Sequence, residues 1–327
     1  MNYVVSLTNF FIYYLFSVSN AYGTINTLRK QKGHLWSYSR EPIKAPLLMK
    51  LQNDSEMFDQ AIQIFVFIMK YMGDLPQIKT QQINTDEIFT AALENDLLRD
   101  EVYCQIMKQL TENTLPQSEE RAWDLMWLAS GIMTPSQALL KELHEFLKSR
   151  PHPVALECQL RLQKTIKNGN RKFPPYIVEV ESIRSRSIQI YHKIYFPDDT
   201  DEAFLVESST KARNLINRVI QSFNIKSSEG FSLFVKIADK VISVPDEYYI
   251  FDFIYELVEW TKSHLPSRNN DHQVQCHYQI FFLKKLWLNF TIGKDLIADT
   301  TFYFYQERPK YLNGYYKVKI NDQIMKL

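Results

Sequence analysis

Glycine is scarce in this sequence, with only 8 among 327 residues. No run of the form GxxxxGK[ST] occurs, and no glycine-rich segment could cradle a phosphate. The chain therefore lacks the loop with which P-loop proteins bind and hydrolyse ATP. No nucleophile–base pair or set of metal ligands can be identified either, so we predict no enzyme, no catalytic residue, no cofactor and no metal.

Cysteine and net charge are also low. The 3 cysteines, Cys104, Cys158 and Cys276, are odd in number and far apart, which argues against a disulfide framework and for a reducing compartment. The net charge of +1 provides no overall field to attract nucleic acid, so no nucleic-acid partner is predicted. Any electrostatic partner must use a local patch.

The N-terminal segment 1–28 is atypically apolar. Its run from Val4 to Val18 is mostly apolar, and no charged residue precedes Arg29. It lacks the basic start and cleavage site of a signal peptide, and it is shorter than the roughly 20 apolar residues of a membrane-spanning helix. Three interpretations remain open: a peripheral helix, a weak membrane anchor, or an unnatural start from an incorrect or partial gene. The last is favoured because nothing else looks secreted or membrane-bound.

The dipeptide Pro174-Pro175 separates two kinds of periodicity. Before it, apolar residues recur at helical spacing, and after it they alternate as in strands. Two consecutive prolines cannot continue a helix. This change predicts an all-helical domain over 29–172 and a mixed domain beginning at 173.

The first half predicts a compact antiparallel helical bundle. Its longest apolar run, 57–72, is followed by the helix-stopping Gly73. The second predicted helix begins at an Asn84 cap, and the third covers 96–112. The fourth begins at Ser118 and the fifth begins at Ser136. The sixth runs from Pro153 to Asn168-Gly169, with Leu156 and Leu160 on its apolar side.

The second half predicts a ubiquitin-like roll, in which one helix packs across a mixed sheet. Apolar and polar residues alternate over 188–196, as in a strand with one buried face. Counting from this strand, the predicted elements follow in the order β-β-α-β-β-α-β. The last five are a helix after Ser209, strands at 231–237 and 241–244, a helix near 249–262, and a strand at 278–283.

Several runs resemble known families. Four stretches are similar to the myosin-tail-homology domain called MyTH4: Leu35–Ile43, Lys70–Asp74, Leu98–Leu110 and Ser118–Leu128. Two others, Phe196–Phe204 and Gly230–Lys236, resemble the opening of a FERM domain. In tandem, over residues 35–316, they resemble the second MyTH4-FERM unit in the tail of a class VII unconventional myosin.

The resemblance implies an α+β multidomain fold. A MyTH4 helical bundle (29–172) would precede a ubiquitin-like β-grasp FERM first lobe (173–290) and a truncated start of the α-helical second lobe (291–327). Phe302, Tyr303 and Tyr305 would lie in the first helix of that second lobe. The third lobe and the motor are missing, so we interpret the chain as a fragment or a truncated gene product. We expect exposed Phe302 and Phe304, and poor order over 295–327.

The implied function is a non-catalytic, cargo-binding tail module of an actin-based motor. It would link the motor to cytoskeletal, scaffold or membrane-associated proteins in the cytoplasm, and it would associate with actin only through an ATP-driven parent motor. The alternative is a motor-free cytoskeletal or membrane adaptor that carries the same tandem.

A basic stripe is the candidate binding site. Its members recur every three or four residues near the end of the helical half: Arg161, Lys164, Lys167, Arg171 and Lys172. A solvated outer face explains such a stripe. The alternative is a patch for an acidic partner, which the resemblance supports because some MyTH4 domains bind microtubules.

Three further clusters favour structural interpretations. Lys284-Lys285-Leu286-Trp287 could meet anionic lipid, but packing of Trp287 between FERM lobes is favoured. The set His272, Cys276 and His277 fits no standard zinc spacing, so a loop followed by a strand explains it better. The acids Asp198, Asp199, Asp201 and Glu202 lack calcium-loop spacing, which favours a solvated turn.

Overall fold

The computed structural model describes residues 37–76, 85–264, 277–287 and 291–316. Contacts divide the chain into two compact units, a helical unit that ends at Ile188 and a sheet unit that begins at Gln189. None of the helices in the described ranges has the length and apolarity that crossing a bilayer requires.

The helical unit contains seven described α-helices, preceded by a 3-10 turn at Met49–Asn53. They are α1 (Ser55–Met72), α2 (Asp86–Glu94), α3 (Asp96–Gln109), α4 (Pro116–Ile132), α5 (Gln137–Lys148), α6 (Pro153–Asn168) and α7 (Ile177–Arg184). Large side chains from α1, α3, α4 and α5 fill the core, among them Tyr71, Tyr103, Trp123, Trp127 and Phe146.

Local signals set most of these helix ends. The Asp54 carboxylate accepts from the first free N–H groups of α1, and Gly73 ends that helix in the left-handed region at φ 82°. Ser136 caps α5 by accepting from the backbone N–H of Leu139. Gly169 follows the last residue of α6. These starts and stops confirm the predicted helices at 57–72, 136 and 153–168.

Two helix ends differ from the predictions. The fourth helix begins at Pro116 instead of Ser118, because proline fits the first helical turn. Ser118 lies buried inside that turn, where its hydroxyl donates to Asp74 Oδ2 at 3.1 Å. The third helix ends at Gln109. The predicted cap at Asn84 lies outside the described residues.

Residues 173–188, which the sequence analysis assigned to the second domain, group with the helical unit. The sequence reasoning missed α7, whose eight residues follow Pro174-Pro175 directly. The change of architecture in the described structure therefore falls after Ile188, and the domain boundary at 172/173 stays a prediction.

The apolar stripe of α6 was predicted on the wrong side. Leu156 is 61% exposed and Leu160 is 44% exposed, so neither belongs to the core. The buried stripe is Val154, Ala155, Cys158, Leu162 and Thr165. Most of these side chains are small, which lets α6 pack closely against α4. Both stripes have helical spacing, and spacing alone cannot choose between them.

The sheet unit confirms the predicted order of elements. Its described strands are β1 (Tyr191–Tyr195), β2 (Asp201–Leu205), β3 (Phe231–Ile237), β4 (Lys240–Ser243) and β5 (Tyr278–Lys284), and its helices include α8 (Ala212–Ser222) and α9 (Ile250–His264). The strand order is β2-β1-β5-β3-β4. Only β1 and β5 pair in parallel, and the other neighbours are antiparallel. This is the mixed sheet of a ubiquitin-like roll.

A π-helix at Ala298–Phe304 continues into α10 (Tyr305–Leu312), where the second lobe was predicted to begin. The expected exposure of Phe302 is wrong: its ring is fully buried, with centroids 5.3 Å from Phe231 and 5.4 Å from Phe282. Phe304 is 58% exposed, as expected. The poor order expected over 295–327 stays a prediction, and 317–327 lie outside the described residues.

Candidate partner-binding surfaces

Helix α3 carries most of one MyTH4-like signature run, Leu98–Leu110, and most of its polar side chains are buried. The carboxylate of Glu101, which has no exposed surface, accepts from the backbone N–H groups of Leu47 and Leu48, each at 2.8 Å. Burial raises the pKa of Glu101 above its ordinary value. Asp100 accepts from the backbone N–H of Ser136 at 2.7 Å and so holds the start of α5.

The remaining polar residues of α3 hold other parts of the helical unit. Gln109 bonds the backbone of Ser39 through both ends of its amide, and Lys108 donates to the carbonyl of Ser37. Arg99 donates to two carbonyls at the end of α2. The signature on α3 is therefore a structural centre that fixes loops and neighbouring helices. In a sequence, charged residues on a helix indicate a solvent-exposed face. The periodicity of α3 therefore could not have predicted that its charged residues hold other parts of the fold.

Arg161, the first member of the predicted basic stripe, is used inside the fold. Its guanidinium lies 3.4 Å from the ring centroid of Trp127 on α4, and its Nε donates to the Trp127 carbonyl at 3.0 Å. Gly131 makes room for it, because a Cβ there would lie 2.0 Å from Arg161 Nη2. Arg161 therefore joins α6 to α4, and its side chain remains only partly exposed.

Arg171 is buried as well. Its side chain is 1% exposed, and its Nη1 lies 2.7 Å from the carboxylate of Glu179. Nη2 donates to the carbonyl of Pro174, and Glu179 also accepts from the backbone N–H of Tyr176 at 2.7 Å. This ion pair braces the chain across Pro174-Pro175 and caps α7. A buried guanidinium cannot meet a partner, so Arg171 does not belong to the binding patch.

The other three members of the stripe, Lys164, Lys167 and Lys172, are exposed. The Lys172 ammonium lies 4.8 Å from the ring centroid of Phe173. On a helix with 100° per residue, Lys164 and Lys167 share the outward face of α6 with the two exposed leucines. We name this face the α6 ridge, and its members are Leu156, Leu160, Gln163, Lys164 and Lys167.

A polar cluster next to α7 has no counterpart in the sequence predictions. Arg186 pairs with Asp124 at 2.7 Å and with Glu120, and Glu120 also lies 3.2 Å from His152. The His152 ring stacks on Trp123, with centroids 4.7 Å apart. Burial raises the pKa of Asp124 to about 6, although the nearby guanidinium of Arg186 opposes that shift. The cluster ties the end of the helical unit to α4.

Two members of the Lys284–Trp287 segment, Lys284 and Trp287, are used inside the fold. Lys284 is buried, its ammonium donates to the Glu229 carbonyl at 2.6 Å, and burial lowers its pKa. The ring of Trp287 lies 5.2 Å from that of Tyr303, which confirms that it packs against the segment where the second lobe was predicted to begin. Lys284 is therefore not available to a lipid surface.

The remaining candidate clusters show ordinary loop contacts. Asp198 accepts from the backbone N–H and the hydroxyl of Thr200, Asp201 pairs with Lys193, and Glu202 accepts from Ser222. His272 and Cys276 lie outside the described residues. Within the described ranges, no group of three or more histidine, cysteine or acidic side chains could hold a metal ion.

Comparison with known proteins assigns both units. The MyTH4 domain family matches residues 85–182, and the RA like domain family matches residues 189–286. The chain is 53% identical to Myosin-VIIa of Drosophila melanogaster and 41% identical to Unconventional myosin-VIIb of Mus musculus. These matches cover 90% and 91% of this chain, but only 14% of each relative.

A solved structure extends the likeness to three dimensions. The human Myosin 7b C-terminal MyTH4-FERM domain, determined in complex with the harmonin-a PDZ3 domain, matches with a TM-score of 0.82 and 40% identity. The match covers 92% of this chain and 65% of that one. The resemblance drawn from the sequence is thus confirmed at the level of both domains and their order.

Proposed function

The chain belongs to the MyTH4-FERM regions of class VII myosin tails, and from this premise we propose that it serves a larger myosin as its partner-binding module. The observation that carries the proposal is the tandem of a MyTH4 domain and an RA-like lobe, with 53% identity to a Myosin-VIIa across 90% of the chain. The module itself is non-catalytic.

The parent protein in this proposal is an ATP-driven actin motor, and the chain is its second MyTH4-FERM unit. The likeness to the C-terminal unit of Myosin 7b supports that position. A motor-free adaptor is the competing interpretation. Sequencing the full-length transcript separates the two, because a motor-encoding region upstream of residue 1 supports the myosin and its absence supports the adaptor.

The proposed partners are cytoplasmic scaffold proteins associated with the cytoskeleton. Support comes from the solved relative, whose partner is a PDZ domain of harmonin-a. The test is biolayer interferometry between the full chain and the harmonin-a PDZ3 domain, with an unrelated PDZ domain as the control. We expect saturable binding to the first and none to the second. A folded chain that binds neither domain would contradict the proposed partner class.

A second candidate partner is the microtubule, through Lys164, Lys167 and Lys172. Its support is the exposure of all three side chains on one segment of the helical unit. Charge reversal at Lys164 and Lys167 should abolish co-sedimentation with microtubules, whereas Lys141→Glu on α5 should leave it unchanged. Microtubules stripped of their acidic tails should not bind. Equal binding by the charge-reversed and unmodified chains would eliminate this candidate.

A further inference from the structure

The α6 ridge has two chemically distinct halves. Its N-terminal half presents Leu156 and Leu160, one helical turn apart and 61% and 44% exposed. Its C-terminal half presents Lys164 and Lys167, both exposed. A single exposed leucine is ordinary on a protein surface, but two on adjacent turns form a continuous apolar patch.

Structure alone explains only the basic half of the ridge. Lys167 lies in the last turn of α6, where a positive charge complements the helix dipole. The leucines have no such explanation, because the helix already buries Val154, Cys158 and Leu162 on its opposite side. Exposing two leucines costs solvation free energy that polar residues at the same positions would avoid. Contact with a partner would recover that free energy.

We propose that the α6 ridge docks an acidic amphipathic segment of a partner protein, and this inference rests on the proposed partner-binding function. The leucines would receive apolar side chains, and the lysines would pair with carboxylates. From Leu156 to Lys167 the ridge covers roughly twelve residues, a rise of about 16 Å, which matches roughly three turns of a docked helix. Charge complementarity selects the acidic partner, and the order of the two halves fixes its direction.

The same features separate this ligand from two others. An acidic tail without apolar residues would use the lysines and leave the leucines without a role. A membrane would need a broader apolar stripe than the two leucines of the ridge, with positive charges along its whole flank. Ile166, which is 43% exposed on the same helix, lies roughly 80° or more away from both leucines around the helix axis. Glu157, which is half-buried beside Leu156, repels anionic headgroups and carboxylates at the apolar end. It thereby directs the acidic end of the ligand toward Lys167.

The test measures binding of a fluorescein-labelled helical peptide to the full chain. The peptide is sixteen residues long, with leucines at i and i+4 in one half and four glutamates in the other. We expect saturable binding that weakens about tenfold or more with Leu156→Gln/Leu160→Gln, and similarly with Lys164→Glu/Lys167→Glu. The matched control Ile177→Gln/Lys141→Glu changes an isoleucine that is 48% exposed, between the values for the two leucines, and a lysine elsewhere in the helical unit, and it should bind normally.

Circular dichroism melting confirms that each variant is folded, and the outcomes then separate. Weakening by the lysine variant but not by the leucine variant overturns the proposal in favour of a plain acidic tail. Binding to phosphatidylserine vesicles without peptide binding overturns it in favour of a membrane. If the unmodified chain binds the PDZ domain but not the peptide, the proposal for the α6 ridge is overturned and the proposed function is not. Loss of both interactions in the unmodified chain overturns the proposed function as well.

Discussion

Arg161 and Arg171 are cations that the helical unit uses internally. One lies against the Trp127 ring, and the other forms a buried ion pair with Glu179. Both recur with the spacing of surface lysines, so the sequence could not distinguish them from Lys164 and Lys167. Arginine is suited to these positions because its planar guanidinium can stack on an aromatic ring or hydrogen-bond while buried.

Breaking the buried ion pair should be costly. Arg171→Met leaves the Glu179 carboxylate buried without its cation, so we expect the free energy of unfolding of the helical unit to fall by about 3–5 kcal/mol. Adding Glu179→Leu should restore a large part of that loss, since two apolar side chains need no counter-charge. Urea unfolding followed by circular dichroism measures both variants. Equal stability of Arg171→Met and the unmodified chain would contradict the role assigned to the pair.

Gly131 and Arg161 should show strong energetic coupling. Gly131→Ala places a methyl group where the guanidinium lies, so the single variant should lose about 1–3 kcal/mol as the contact with Trp127 breaks. In an Arg161→Met background the same change should stabilise by up to about 1 kcal/mol, because alanine is the better helix residue. A double-mutant cycle by urea unfolding measures the coupling. Additive effects of the two changes would contradict the packing described.

At the scale of helices and strands, the periodicity of the sequence correctly predicted those elements whose position depends on local sequence. Helices with clear caps, such as those after Asp54 and Ser136, and the order of strands and helices along the sheet unit were confirmed. The errors arose where two packings satisfy the same spacing. In α6 the leucine stripe and the Val154–Thr165 stripe are both helical, and only the small residues facing α4 decide between them. The polar contacts of α3 depend on distant loops, which no local pattern encodes.

The burial of Phe302 also depends on distant contacts that no local pattern encodes, and it can be tested by mutation. Truncation at this buried ring opens a cavity, so Phe302→Ala should cost the sheet unit about 3–5 kcal/mol and speed hydrogen exchange over 298–312. Phe304→Ala is the matched control, since the same side chain two residues away is 58% exposed. It should change stability by less than about 0.5 kcal/mol. Similar exchange in the two variants would contradict the packing of the π-helix on the sheet.

At the scale of the whole molecule, charge acts locally. A net charge of +1 gives no long-range field, yet ionisable groups are buried throughout the helical unit, among them Asp100, Glu101, Lys108 and Asp124. Burial disfavours the charged form of each, which makes stability depend on pH. Partner binding through the α6 ridge involves other, exposed groups, so the two pH responses can be measured separately.

Lys108 should make the helical unit more stable in alkali. Burial lowers its pKa to about 8, against 10.5 in the unfolded chain. Between these values the unfolded chain binds the extra proton, so stability should rise with pH across pH 8 to 10.5. Asp124, with its pKa raised to about 6 from 3.8, acts in the opposite sense, and its contribution falls as pH rises across that lower range. Urea unfolding as a function of pH measures both slopes.

Each slope has its own control variant. Lys108→Met should reduce the rise above pH 8 and leave the acidic range unchanged. Asp124→Asn should reduce the acidic slope alone, and the slope that remains belongs to groups such as Asp100 and Glu101, whose pKa values burial also raises. An unaltered alkaline slope in Lys108→Met would assign it to another group.

The brace across Pro174-Pro175 has a consequence for how this protein can be divided. A cut after Lys172 would keep Arg171 and discard Glu179, so the separated bundle would carry an uncompensated buried cation. A cut after Ile188 keeps both. We therefore expect a helical unit expressed on its own to need α7, beyond the point where the helical periodicity of the sequence stops.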